Sequence, residues 1–248
     1  MHIRNLLKIA EMKVNIIRAE TRGHIDHGWL KTNHTFSFAD YYNPEKIHFG
    51  ALRVLNDDWI EPGKGFGRHP HDNMEIITIP FSGEVLHQDS MGNKGVIKPG
   101  EIQVMSAGTG VFHSEFNNSQ VEPLSLFQIW IFPNKKNVNP RYGQVTISDY
   151  AKKDELYQII SPNPEEQGLW IHQEAWFNMG DLSQGKEVEY KLNKSTSGVF
   201  IQVIEGDIEV VDNQLSRRDA IAISDISSIE IKAITNAKTL LMEVPMQW

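Results

Sequence analysis

Short β-rich runs, broken at close intervals by glycine, asparagine, aspartate and proline, most limit what this chain can fold into. Glu75–Pro80 (EIITIP), Leu124–Phe132 (LSLFQIWIF), Gly198–Ile204 (GVFIQVI) and Asp207–Val211 (DIEVV) are the clearest of them. Helical periodicity is nearly absent, and only Tyr150–Tyr157 (YAKKDELY) is expected to form a short helix. An all-β sandwich or barrel follows.

The runs fall into two weakly similar halves. In the first, a strand meets Gly83, turns at Asp89–Gly92, and resumes after Gly100. In the second, Gly206, the polar turn Asp212–Leu215 and the run Asp219–Ser224 repeat that beat. Between them Pro133–Gln144 (PNKKNVNPRYGQ) is polar and carries two prolines. The expected organisation is two tandem β-barrels, residues 12–132 and 145–248, joined by a linker at 133–144. Residues 1–11 are an N-terminal addition or a start set too early. Those residues carry no basic-then-apolar leader, since charged residues interleave with short apolar pieces, and a cytoplasmic protein is expected.

Composition narrows the chemistry. With no cysteine among 248 residues, disulfides, thiolate metal sites and cysteine nucleophiles are all excluded. A net charge of −8 without a basic block argues against nucleic acid and anionic membrane as partners.

What remains is nitrogen and oxygen ligation, and the histidines are placed for it. All but His172 lie at or before His113. His69-Pro70-His71 sets two imidazoles at i and i+2, which on an extended strand point to one face. His113-Ser114-Glu115 repeats the spacing and adds a third imidazole and a carboxylate from a second strand. Three nitrogens and one oxygen suit iron(II), manganese, nickel or zinc. Glycines precede each pair (Gly63, Gly65 and Gly67; Gly108 and Gly110), where positive φ or close backbone approach bends a strand into a small barrel. His24, His27 and His34 read as turn and surface residues, His172 as structural, and Phe127 with Trp130 as barrel core.

Gly63, His69, His71, Glu75 and Gly83 resemble the first cupin motif, with one extra residue before Gly83. Gly110, His113 and Asn117 resemble part of the second, with Gly108 where its proline usually stands. The strings Phe66–Glu75 (FGRHPHDNME), His87–Asn93 (HQDSMGN) and Met105–Glu115 (MSAGTGVFHSE) are similar to the pirin family, in particular to bacterial pirin-like quercetin 2,3-dioxygenases. Arg22–Tyr42 and Leu52–Asp58 resemble that family's N-terminal region. The likeness is strongest from Met12 to Phe132 and weaker beyond.

The resemblance implies a bicupin with one mononuclear metal, iron(II) first, held in the N-terminal barrel by His69, His71, His113 and Glu115. Glu75 is the rival carboxylate, because most metal-binding cupins draw theirs from the first motif. The second half lacks a matching set: aligning Gly83 with Gly206 puts Leu192 and Lys194 where His69 and His71 stand. Four protein ligands leave two octahedral positions open. The implied activity is cleavage of a flavonol such as quercetin with dioxygen and release of carbon monoxide, with Glu115 also the base for the 3-hydroxyl. The alternative, drawn from the same family, is a non-catalytic metal-binding regulator with protein partners.

Overall fold

The computed structural model describes residues 12–248; the N-terminal stretch 1–11 lies outside the described residues. No α-helix occurs among them, and one 3-10 turn, Ala19–Thr21, interrupts the strands. Among the described residues no helix is long and apolar enough to cross a membrane.

Two tandem cupin-type β-barrels make up the described residues, each a seven-stranded sheet against a four-stranded one. In the first, the large sheet runs in the order Arg141–Thr146, Glu101–Ser106, Glu75–Ser82, Leu124–Ile131, Leu52–Ile60, Leu30–His34 and Gly23–Asp26. Its small partner is Gly65–His71, Val111–Asn117, Val85–Asp89 and Lys94–Ile97. In the second, Lys13–Ile17, Ala220–Ser224, Ser197–Glu205, Ala237–Pro245, Trp176–Leu182, Leu156–Ser161 and Leu169–Trp170 form the large sheet. The four strands Glu187–Lys191, Ser228–Ala233, Ile208–Val210 and Asn213–Leu215 form the small one. The repeat inferred from glycine placement has a physical counterpart. Gly83 and Gly206 each end the strand of their own half at positive φ, and a Cβ there would meet the Pro123 or Asn236 carbonyl oxygen at 2.7 or 2.1 Å.

Strand alternation divides each large sheet into two faces. On Glu75–Ser82 and Leu124–Ile131, the side chains of Ile77, Ile79, Phe127 and Ile129 point away from the first barrel. They pack with Phe177, Met179, Phe200, Leu240 and Met242 of the second half in one shared core. Ile76, Thr78, Gln128 and Trp130 point the other way, into the first barrel, where the histidines are.

Two segments differ from expectation. Tyr150–Tyr157 is not helical: a turn at Ser148–Tyr150 and the positive φ of Asp154 (64°) break it, and Leu156 already pairs with Gly180. Its charged residues suited a helix, but tertiary strand pairing overrides local propensity. The segment 133–144 ends in the strand Arg141–Thr146, which extends the first large sheet. Lys13–Ile17, near the other end of the first half, pairs with Ala220–Ser224 of the second.

Candidate metal centre

Strand register builds the site. Gly65–His71 runs antiparallel to Val111–Asn117 with His113 opposite His69 and Val111 opposite His71. A bulge then places Glu115 opposite Phe66. That extra residue resets the alternation, so Phe66, His69 and His71 all line one cavity despite their mixed spacing. Gly65 permits the approach: a Cβ there would stand 2.2 Å from the Glu115 carbonyl oxygen and 2.5 Å from Phe116 Cα.

The three imidazoles converge. Ring centroids of His69 and His113 are 4.4 Å apart, and both His69–His71 and His71–His113 are 4.8 Å apart. Their ligand nitrogens lie within 4.8 Å of one another. His69 Nδ1 donates to the Gly67 carbonyl at 2.7 Å, which fixes the tautomer and leaves Nε2 free. Both ring nitrogens of His113 are buried with no hydrogen-bond partner. Burial, reinforced by the neighbouring imidazoles, holds His71 down at about 4 and His113 at about 3, so both are in the neutral form that ligates a metal.

Glu115 completes a second, overlapping group with His87 and His113, again within 4.8 Å. Its Oε1 accepts from the Thr78 hydroxyl at 3.0 Å and its Oε2 from Gln128 Nε2 at 2.8 Å, which orients the carboxylate while leaving lone pairs free. A three-histidine cluster with an oriented carboxylate beside it, and orphaned nitrogens on His113, fits a divalent transition metal. Both groups lie in the first half.

Glu75 is elsewhere. Its strand turns it to the opposite face of the sheet, where the Ser106 hydroxyl donates to Oε2 at 2.7 Å. Burial pushes its carboxyl up to about 7, against that bond and the charge of Arg141. Asn117, from the second motif, is buried, and its amide donates to the carbonyls of Ile60, Glu61 and Glu122, anchoring loops.

Several residues carry more than the sequence reading gave them. His87 sits in the string HQDSMGN without an assigned role, yet it is fully buried opposite Glu115, with Nε2 3.3 Å from Asp89 Oδ2. Trp130 is not core like Phe127. Three positions apart on one strand, the two face opposite ways, and Trp130 lies against His71 with ring centroids 4.9 Å apart. His34 is not a surface residue but is 3% exposed at a cavity wall, where burial drives it down to about 4; His24 and His27 are exposed. His172 lies outside the cluster, against the ring of Trp170.

The cavity over the cluster has a volume of about 210 Å³, with Phe38, Phe66 and Trp130 as its aromatic walls. A second cavity of about 420 Å³ shares Phe38, Phe66, Asn56 and Asp58 with it.

Residues 16–131 match the family described as Pirin, and residues 158–244 the one described as Quercetinase C-terminal cupin domain. A quercetin 2,3-dioxygenase of Escherichia coli (strain K12) is 43% identical over 228 residues, covering 92% of this chain and 97% of that protein. The chain belongs to the pirin family. A pirin-like protein of Caulobacter vibrioides is 39% identical, covering 89% of this chain and 95% of its own length. Among solved pirins, YhhW of Escherichia coli in complex with nickel(II) superposes with a TM-score of 0.89 at 41% identity, covering 94% of this chain and 99% of that one.

Proposed function

We propose that this pirin is a metal-dependent dioxygenase that cleaves a flavonol such as quercetin with dioxygen and releases carbon monoxide. The observation that carries the reading is the convergence of His69, His71 and His113, with Glu115 beside them, on the floor of an aromatic-walled cavity. Relatives bearing the name quercetin 2,3-dioxygenase support the substrate class.

His69, His71, His113 and Glu115 would hold one divalent ion, with iron(II) the first candidate and manganese, nickel or zinc the alternatives. Such an ion would supply a Lewis acid toward the substrate oxygen. The protein's own residues do the rest. Phe38, Phe66 and Trp130 present ring edges and faces to a flat substrate and exclude water around it. Glu115, held at both oxygens by Thr78 and Gln128, accepts the proton of the substrate 3-hydroxyl as its enolate anion forms. Gly67, through Nδ1, keeps the lone pair of His69 directed inward. A cysteine-free chain needs no oxidising compartment, which fits a cytoplasmic enzyme.

The test is quercetin turnover by metal-loaded protein. Flavonol absorbance should fall only with metal and dioxygen both present, carbon monoxide should appear, and His69→Ala and His71→Ala should be folded but inactive. Quercetin binding without oxygen uptake or carbon monoxide would favour the non-catalytic regulator instead.

A further inference from the structure

Four polar side chains stand together on one face of two neighbouring strands. In the antiparallel register of Leu30–His34 against Leu52–Ile60, Thr32 lies opposite Asp58 and His34 opposite Asn56. All four are at most 4% exposed. Thr32 Oγ1, His34 Nδ1, Asn56 Oδ1 and Asp58 Oδ1 each lack a hydrogen-bond partner. All four residues line the second cavity, and Asn56 and Asp58 also line the cavity over the histidines.

Buried polar atoms are normally paired, because each unpaired one costs the desolvation it is not repaid. Four orphans in one patch are therefore a standing cost to the free protein, which a ligand supplying the missing partners would relieve. Aromatic rings frame the patch: Trp29 packs edge-on to Phe66 at 5.4 Å between centroids, and Phe38 edge-on to His34 at 5.3 Å. Flat apolar walls with hydrogen-bonding groups along one side match a hydroxylated aromatic ring. The row does not stop there. Asn56 pairs across to Gln128, and Gln128 to Thr78, the two residues that hold Glu115. One polar stripe thus runs from the outer cavity to the proposed base.

We infer that Thr32, His34, Asn56 and Asp58 form a specificity subsite that reads the hydroxyl groups on the outer ring of a polyphenol whose other end lies over His69, His71 and His113. The inference deepens the flavonol reading above and rests on it. A site built to hydrogen-bond a hydroxyl discriminates strongly against an analogue lacking it, because its own polar groups are then left unpaired. The subsite should therefore act on selectivity among flavonols.

Full-length protein loaded with nickel(II) is titrated anaerobically with quercetin and with galangin, the same flavonol without hydroxyls on its outer ring, and tryptophan fluorescence is followed. Wild-type protein should bind quercetin at least about tenfold more tightly. Asp58→Leu and Asn56→Leu should lose most of that preference while shifting galangin affinity less than about threefold. Asp58→Leu should also raise the melting temperature of the ligand-free protein, since it removes a buried carboxyl whose Oδ1 has no partner; a merely structural Asp58 would give the opposite shift. Thr32→Val, which keeps the side-chain shape, serves as a second variant should either leucine variant fail to fold, and it should lose part of the preference. Equal wild-type affinity for the two flavonols, no binding of either, or undiminished selectivity in the variants would overturn the subsite. Oxygen uptake by wild-type protein loaded in turn with iron(II), manganese, nickel and zinc separates the two readings: selectivity without turnover on any metal leaves the subsite standing and removes the dioxygenase, and turnover without selectivity does the reverse.

Discussion

His69 and His113 are cross-strand partners whose rings approach to 4.4 Å between centroids, with nothing but register to bring them together. Neither ring is tied to the other by a hydrogen bond, and His113 has no partner at either nitrogen. Two buried, unpartnered ring nitrogens are costly without a ligand to take one of them.

Removing His113 should therefore cost the metal rather than the fold. His113→Ala is expected to lower occupancy markedly at limiting metal, while elemental analysis of wild-type protein gives about one ion per chain. The barrel should stay folded, because its apolar burial does not depend on the ion. Two ions per chain would point instead to simultaneous use of the His69/His71/His113 and His87/His113/Glu115 groups.

The two carboxylates should separate cleanly. Glu115→Gln should weaken metal binding and turnover together, since the amide is a poor ligand and no base. Glu75→Gln should leave the ion in place, because Glu75 sits across the sheet on Ser106. Metal analysis of both variants decides, and the reverse order would make Glu75 the ligand.

Facing was legible in the sequence where period-2 spacing stayed within one strand. His69 with His71, and His113 with Glu115, are such pairs, and their faces can be read directly. Local pattern could not place Glu75 relative to His71, because Asn73 at positive φ (44°) breaks the strand between them and parity does not carry across a turn. It grouped Phe127 with Trp130, although their odd separation already puts them on opposite faces. Phe66 was out of reach, because only the bulge opposite Glu115 turns it toward the histidines. His34 and His87 owe their burial to neighbouring strands that local pattern does not reveal. The same holds for Lys13–Ile17, whose partner Ala220–Ser224 lies at the far end of the chain.

The close strand approach at Gly65 gives a paired test. Gly65→Ala would drive a methyl into the backbone of Glu115 and Phe116, so about 1–3 kcal/mol of destabilisation is expected, with weaker metal binding as the two strands part. Gly67 has nothing within 4 Å of its Cβ direction, so Gly67→Ala should stay within about 0.5 kcal/mol. Denaturant midpoints and metal titrations of the two variants compare them directly. Equal effects would mean that the strand spacing is not what Gly65 protects.

Glu75 should also set a pH dependence of stability. Its folded-state value of about 7 stands above the ordinary 4.5, chiefly through burial. Below pH 4.5 the carboxyl is protonated whether the chain is folded or not, and it contributes nothing to the difference. Between 4.5 and 7 the folded state keeps a proton that the unfolded chain releases, so stability falls as pH rises through that window. Above 7 both states are ionised, and the folded one bears the full burden of a buried carboxylate, of order 3 kcal/mol. Glu75→Gln cannot ionise and lacks this slope. Relative to wild type, its melting temperature should therefore be higher at pH 8 than at pH 5 by about 5–10 °C, measured on metal-free protein at both pH values. A difference between variant and wild type that stays constant across the window would place the ionisation of Glu75 back in the ordinary carboxylate range and assign any pH slope to another group.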